Sequence, residues 1–168
     1  MRVIAANPPR RYVNRVTRLG AASLGDLDSA AKALLPPLPY AKASDRYAEK
    51  FRKVMEEARR DLDPKKGIEA QSLWDAGMAF SIAKFLSRNP GMRVLQCNGS
   101  FHSAERLGIP EHLARYRPGA SMVVVTMVPG KSFPDFDAEK MKGQGDFVIV
   151  TDPKAPRSSG AATAATAK

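Results

Sequence analysis

The sequence predicts an α/β fold with a mainly parallel sheet of about four strands flanked by helices. Residues 121–128 form a nearly continuous apolar run, which is typical of a parallel strand buried on both faces. Helical patterns separate the apolar runs, as in α/β proteins. The 168 residues are 43% hydrophobic, which is enough for one domain with a core. We therefore expect a single α/β domain over residues 1–151 and a disordered Ala/Thr-rich tail over residues 152–168.

The first elements are predicted from apolar runs and their breakers. A strand is expected at residues 3–6, where the apolar run ends at an Asn-Pro-Pro sequence. A helix is expected over residues 10–19, because apolar side chains share one face and Gly20 closes the segment. Residues 34–40 contain three prolines and cannot remain helical, so an extended surface connection follows.

Two longer helices follow this connection. Ser44 is a suitable N-cap for a helix that runs to about residue 60 with apolar residues at helical spacing. The longest periodic segment covers residues 68–87 and stops at an Asn-Pro-Gly sequence.

The rest of the chain alternates between strands and helices. We expect strands at residues 93–97, 121–128 and 147–150, a turn at residues 98–103, and a helix at residues 110–116.

Composition excludes several kinds of site. Cys97 is the single cysteine, so one chain holds no internal disulfide, zinc finger or Cys-ligated iron–sulfur cluster. The formal charge of +10, from 27 basic and 17 acidic residues, favours anionic ligands such as nucleic acid, acidic lipid or a carboxylate-bearing cofactor. No transmembrane run is present and the amino terminus lacks a secretory pattern, so a cytoplasmic location is expected for the chain as written.

The long helix places polar side chains within an apolar stripe. Gln71 and Asp75 share a face with Met78 and Ile82, because the steps between them are four, three and four residues. A buried carboxylate or amide needs a hydrogen-bond partner, so these two side chains pin a neighbouring segment or line a ligand cavity. Trp74 lies one step off that face and either covers a flat ligand or fills the core.

A second group of candidates follows the strand at residues 93–97. Asn98, Gly99 and His102 lie in its turn, and ligands of open parallel sheets bind at the carboxyl ends of strands. Gly99 lets backbone amides approach a ligand, and His102 is the predicted ligand-contacting residue. The plausible metal ligands are His102, Asp75, His112 and Cys97, of which His102 is the predicted one. His112, near a helix start, is expected to face solvent. The chain has neither a Gly-x-Ser-x-Gly elbow nor a phosphate loop.

An ordered series of motifs resembles the carboxyl-terminal half of the ChaN family of haem-binding, iron-regulated lipoproteins, which are related to the Tiki and erythromycin-esterase-like proteins. The motifs are Gln71-x-x-Trp74-Asp75-x-x-Met78-Ala79, Asn98-Gly99-x-x-His102 and Gly108-Ile109-Pro110-x-x-Leu113, after the opening Val3-Ile4-Ala5-Ala6-Asn7-x-Pro9-Arg10. The resemblance covers residues 2–128.

The resemblance implies an α/β fold with a cleft at the strand ends, lined by Gln71, Asp75, Asn98 and His102, with haem or iron as the ligand. In the related metal-dependent proteases the Gly-x-x-His motif supplies a metal ligand. The family's Gly-Glu-x-His segment has no counterpart here. The chain is therefore expected to be half of a larger ChaN-like domain, completed by an amino-terminal half or a homodimer. A fragment of such a lipoprotein would belong to the cell envelope, in the periplasm or at the outer membrane.

Three functional hypotheses follow. The first is a ChaN-like haem- or iron-binding module without catalytic turnover, with a role in iron uptake. The second is a metal-dependent hydrolase of the Tiki or esterase-like kind, which would use His102, Asp75, a divalent metal and residues from outside this chain. The third is nucleic-acid binding through Arg11, Arg15 and Arg18, which positive charge alone supports.

Overall fold

The computed structural model describes residues 2–58 and 63–155. It is about 51% helical and contains a small parallel sheet, which confirms the α/β class. The chain divides into two compact units, Met1–Met122 and Val123–Lys168. The single domain over residues 1–151 stays a prediction. The predicted tail lies outside the described residues from residue 156 onward.

The first unit is helical. Its helices are α1 (Arg10–Leu19), α2 (Ser29–Lys32), α3 (Asp45–Glu57), α4 (Pro64–Arg88) and α5 (Ile109–Tyr116), with 3₁₀ turns at Ala21–Asp26, Ser100–His102 and Ala104–Arg106. The four predicted helices are confirmed as α1, α3, α4 and α5. The predicted end of α3 at residues 59–60 lies outside the described residues.

Short-range signals define the helix ends. The Ser44 side chain accepts a hydrogen bond from the Tyr47 amide at 3.2 Å, which caps α3. The Asp63 carboxylate does the same for the Lys65 amide at the start of α4, at 2.9 Å. Gly20, with φ of +83°, ends α1 in a conformation that favours glycine. None of the helices in the described ranges is long and apolar enough to cross a lipid bilayer.

Helix α4 is the centre of this unit. One apolar cluster joins it to α1 and includes Val16 and Leu73. A second cluster joins it to α5 and includes Ile82 and Leu113. Trp74 packs against both clusters and is half-buried, so it fills the core with one part and leaves another part exposed. Polar side chains on α4 are therefore held on a helix fixed on two sides.

The strands predicted at residues 3–6 and 93–97 are wrong. Neither segment pairs with a strand within the part of the chain that the structure describes. The first segment docks on α4, where the Ser81 hydroxyl donates to the Ala6 carbonyl at 3.2 Å. In the second, Leu95 is 90% exposed. An apolar run becomes a strand only when a partner accepts its backbone hydrogen bonds, and that partner is not encoded locally.

The second unit contains the sheet. Strand β1 (Val125–Pro129) pairs in parallel with β2 (Phe147–Thr151), and helix α6 (Ala138–Met141) lies between them in sequence. The prediction that residues 121–128 are buried on both faces is wrong, because Met127 is 61% exposed while Thr126 is 3% exposed. Within this unit, only one face of the two-stranded sheet is covered.

Candidate functional site

A buried carboxylate and a histidine form the centre of the site. Asp75, on α4, is 0% exposed. Its Oδ1 lies 2.6 Å from Nδ1 of His102, whose side chain is 23% exposed. An ionised carboxylate can only accept a hydrogen bond. Nδ1 of His102 therefore carries the proton and donates a hydrogen bond to Asp75. This tautomer leaves the lone pair on Nε2, the arrangement found when histidine binds a metal through its other nitrogen.

Tyr47 of α3 completes the hydrogen bonding of this carboxylate. Its hydroxyl donates to Oδ2 of Asp75 at 2.5 Å, and Tyr47 is 0% exposed. Burial, together with the neighbouring Asp75, raises the pKa of Tyr47 above its ordinary value, so its hydroxyl keeps its proton. Burial also raises the pKa of Asp75, while the hydrogen bonds from His102 and Tyr47 oppose that rise. Each oxygen of Asp75 thus has one donor.

Gln71 lies one helical turn before Asp75 and reaches the same imidazole. Its Nε2 is 3.1 Å from Nδ1 of His102 and 3.4 Å from Nε2. Nδ1 already donates to Asp75 and cannot also accept, so the amide can donate only to Nε2 or to the Tyr47 hydroxyl, 3.5 Å away. Both available contacts are long, so Gln71 is weakly held beside the imidazole.

Helix α3 holds the turn that carries His102. The Tyr47 and Phe101 rings have centroids 5.2 Å apart. Lys50 lies 5.3 Å from the centre of the Phe101 ring and 3.3 Å from the Glu105 carboxylate. Arg46 contacts the same carboxylate at 3.3 Å.

Glu105 has φ of +64°, a left-handed conformation that costs a side-chain-bearing residue about 1–2 kcal/mol. The contacts from α3 stabilise this strained turn.

Gly108 lets the chain pass directly over the pair of Asp75 and His102. Its φ is +66°, and its amide donates to the Glu111 carboxylate at 2.9 Å. A Cβ at this position would lie 2.6 Å from the His102 carbonyl oxygen and 3.0 Å from Oδ2 of Asp75. The position therefore requires glycine for conformation and for space.

A cleft of about 550 Å³ opens beside Gln71, among α1, α3 and α4. Its lining combines apolar side chains, among them Val13, Phe51, Met55 and Trp74, with polar ones, and Arg10 adds a positive charge. This volume lies in the range of small-molecule sites. Gln71 lines the cleft and also contacts His102, which is not among the lining residues, so the Gln71 side chain lies between the cleft and the imidazole.

The structure separates the predicted site residues into two groups. Gln71, Asp75 and His102 come together, and Trp74 lines the cleft beside them. The Asn98 side chain instead braces its own turn, donating to the Gly99 carbonyl at 2.8 Å and to the Ser103 hydroxyl at 2.9 Å.

Tyr47 and Gly108 are absent from the predicted site residues, although Tyr47 is one of four tyrosines that could supply a phenol to haem and Gly108 opens one of the family motifs. Tyr47 lies at one of the apolar-spaced positions of the helix that Ser44 caps, and a phenol at such a position is the signal for a buried polar partner. The Gly-Ile-Pro sequence was a signal for Gly108. Neither signal identifies Asp75 as the partner.

His112 is not solvent-facing, and that prediction is wrong. It is 3% exposed, and burial lowers its pKa to about 4. Within the described residues its Nδ1 has no hydrogen-bond partner, nor does the hydroxyl of Tyr116, whose ring stacks on it at 6.4 Å. The side chain turns inward because its helix packs on α4 from its first turn.

The described residues contain no group of three or more His, Cys, Asp or Glu side chains that could hold a metal ion. The metal-dependent hydrolase therefore stays a hypothesis that needs ligands from elsewhere. His102 remains the one predicted metal ligand.

A protein-family model described as "Haem-binding uptake, Tiki superfamily, ChaN" matches residues 1–113, which is more than half of the 168 residues. The chain belongs to the ChaN family. The ChaN match includes the whole group of Tyr47, Gln71, Asp75, His102 and Gly108, and ends within α5. No curated protein and no solved structure is similar enough to this ChaN-family chain to match it.

Proposed function

We propose that this chain binds haem and that Nε2 of His102 is an axial ligand of the iron. The observation that carries the proposal is the hydrogen bond from His102 Nδ1 to the buried Asp75, at 2.6 Å. Metal-binding histidines usually donate their second ring N–H to a carboxylate or carbonyl, which orients the ring and raises its basicity. Asp75 and His102 have this arrangement, and Nε2 of the ring meets the Gln71 amide at the long distance of 3.4 Å.

The neighbouring cleft supports haem over a free metal ion. Haem needs an axial ligand, an apolar slot and basic groups for its propionates, and the iron it supplies accepts an imidazole nitrogen. Phe51 and Trp74 provide apolar walls, and Arg10 provides a positive charge at the same cleft. Gln71 separates the cleft from His102 in this arrangement and is weakly held, so it can move aside.

Titration with haemin tests the proposal. The wild-type chain is expected to shift the Soret band saturably. His102→Ala is expected to weaken haemin binding by at least the roughly 10- to 100-fold that loss of a ligand's supporting hydrogen bond costs in metal sites. Iron-free protoporphyrin IX should bind wild type and His102→Ala equally, because it fills the cleft without needing an axial ligand.

The control is His112→Phe, which changes the other histidine and should leave the haemin titration unchanged. Equal haemin affinities for wild type and His102→Ala would contradict the axial role. An absent Soret shift in the wild type would contradict haem binding altogether.

The finer parts of the proposal concern iron uptake, location and partners. The family description names uptake, and we infer from it that the bound haem is a source of iron and that the chain acts at the cell envelope. A second copy or a separate amino-terminal half would complete the site. Light scattering with and without haemin tests this last point, because a homodimer would double the mass.

A further inference from the structure

We propose that the cleft beside Gln71 binds a small aromatic carboxylic acid that carries an N–H or O–H donor, and that the Gln71 carbonyl oxygen selects for this donor. Gln71 is then a specificity-determining residue of the cleft. The inference goes beyond the proposed function, because it concerns the cleft with Gln71 where the structure places it and needs neither haem nor a metal ion.

The hydrogen bonds behind Gln71 fix the orientation of its amide. Asp75 accepts from Nδ1 of His102 and from the Tyr47 hydroxyl, so the imidazole Nε2 and the phenol oxygen are both acceptors toward Gln71. Nε2 of Gln71 lies 3.4 Å from the imidazole nitrogen and 3.5 Å from the phenol oxygen. A reversed amide would place its oxygen against two acceptor lone pairs. The NH₂ group of Gln71 therefore faces these two groups, and its carbonyl oxygen faces away from them.

The oxygen of this amide is accessible from the cleft. Among the described residues, Oε1 of Gln71 accepts no hydrogen bond, and it is not one of the enclosed side-chain atoms that lack a partner, which are Nδ1 of His112 and the hydroxyl of Tyr116. An atom that is neither hydrogen-bonded nor enclosed is accessible. Gln71 lines the cleft, whereas His102 and Tyr47 do not, so the cleft is where Oε1 meets a ligand.

The other lining residues indicate the rest of the ligand. Phe51 and Trp74 line the cleft, and Trp74 is half-buried, so these rings offer apolar surface on which another flat ring packs. Arg10, the first residue of α1, is exposed and is the one charged residue among the described lining residues. A carboxylate complements its guanidinium. The volume of about 550 Å³ is sufficient for a bicyclic aromatic acid.

Indole-3-acetate and benzothiophene-3-acetate test the selection for a donor. The two acids have nearly the same shape and the same charge, but sulfur replaces the indole N–H in the second. Trp74 is the only tryptophan of the 168 residues, so its indole N–H resonance in nitrogen-15 NMR of the full chain reports binding in the cleft. Indole-3-acetate should shift this resonance saturably and bind about 2- to 10-fold more tightly than the sulfur analogue, the range for one neutral hydrogen bond.

Gln71→Met removes the acceptor and keeps the length of the side chain. In this variant the two acids should bind with equal affinity. Gln96→Met is the matched control, because Gln96 belongs to the same unit, does not line the cleft and donates to the Cys97 carbonyl at 3.2 Å. The preference for indole-3-acetate should remain in the control.

Indole-3-acetamide tests the contact with Arg10, because it keeps the shape and the donor but carries no charge. It should bind the wild type about 2- to 5-fold more weakly than indole-3-acetate, as expected for an exposed arginine. The difference should disappear in Arg10→Gln. It should remain in Arg18→Gln, which changes an exposed arginine of the same helix that does not line the cleft.

The comparison of the two acids on the wild type needs no variant, so it decides the proposal even where Gln71→Met fails to fold. Equal affinities in the wild type, or a preference that persists in a folded Gln71→Met, would overturn the role of Gln71. The absence of a saturable shift with either acid would overturn the proposal as a whole. An absent Soret shift with haemin would contradict the proposed function and leave this inference in place.

Discussion

Gly108→Ala is expected to lower the free energy of unfolding by about 3 kcal/mol and to abolish haemin binding. The new Cβ would lie 2.6 Å from the His102 carbonyl oxygen, where no Cβ is tolerated. The φ of +66° adds the strain of a left-handed L-residue. Relief requires the turn to move, which separates His102 from Asp75. Urea denaturation followed by circular dichroism gives the stability, and the Soret titration gives the binding.

Gly119→Ala is the matched control for this prediction. Gly119 also has a positive φ, +79°, but a Cβ there meets no atom within 4 Å. The variant should therefore show only the conformational cost, about 1 kcal/mol, and normal haemin binding. Equal losses in the two alanine variants would show that the contact with the pair of Asp75 and His102 does not matter.

The wild-type chain is expected to lose about 3 kcal/mol of stability as the pH falls from 6.5 to about 4, because of His112. Burial, and secondarily the charge of Arg115, lowers the pKa of His112 to about 4, while Glu111 partly opposes the shift. Between these two pH values His112 is protonated in the unfolded chain and stays neutral in the folded chain. The free energy of unfolding is therefore not reduced by His112 above pH 6.5, and it decreases as the pH falls toward 4.

His112→Phe isolates this effect. Phenylalanine keeps a ring beside Tyr116 but does not titrate, so the stability of this variant should depend less on pH in the same window. Carboxylates titrate equally in both proteins, and the difference between the two urea series reports His112. Parallel pH dependences in the two proteins would contradict a buried neutral histidine.

Short-range sequence signals were sufficient to predict the four longer helices. Caps and breakers such as Ser44, Asp63 and Gly20 act within a few residues, so the ends of α1 and the starts of α3 and α5 agree with prediction to within about two residues. Helix α4 begins four residues before its predicted start, at the Pro64 that follows its Asp63 cap. The helical period also placed Gln71 and Asp75 together on one face, where the structure brings both to His102.

Pairing and packing between distant segments required the tertiary structure. The apolar runs at residues 3–6 and 93–97 look like strands, yet a strand depends on a partner that no local pattern specifies. The burial of the His112 side chain depends in the same way on how α5 packs against α4. The same holds for the site. The sequence indicated that Gln71 and Asp75 need hydrogen-bond partners. Only the structure shows that Tyr47 and Gly108 lie against Asp75, from which they are 28 and 33 residues away in the sequence. Periodicity reports which face is buried, and only the packed fold determines what each buried polar group meets.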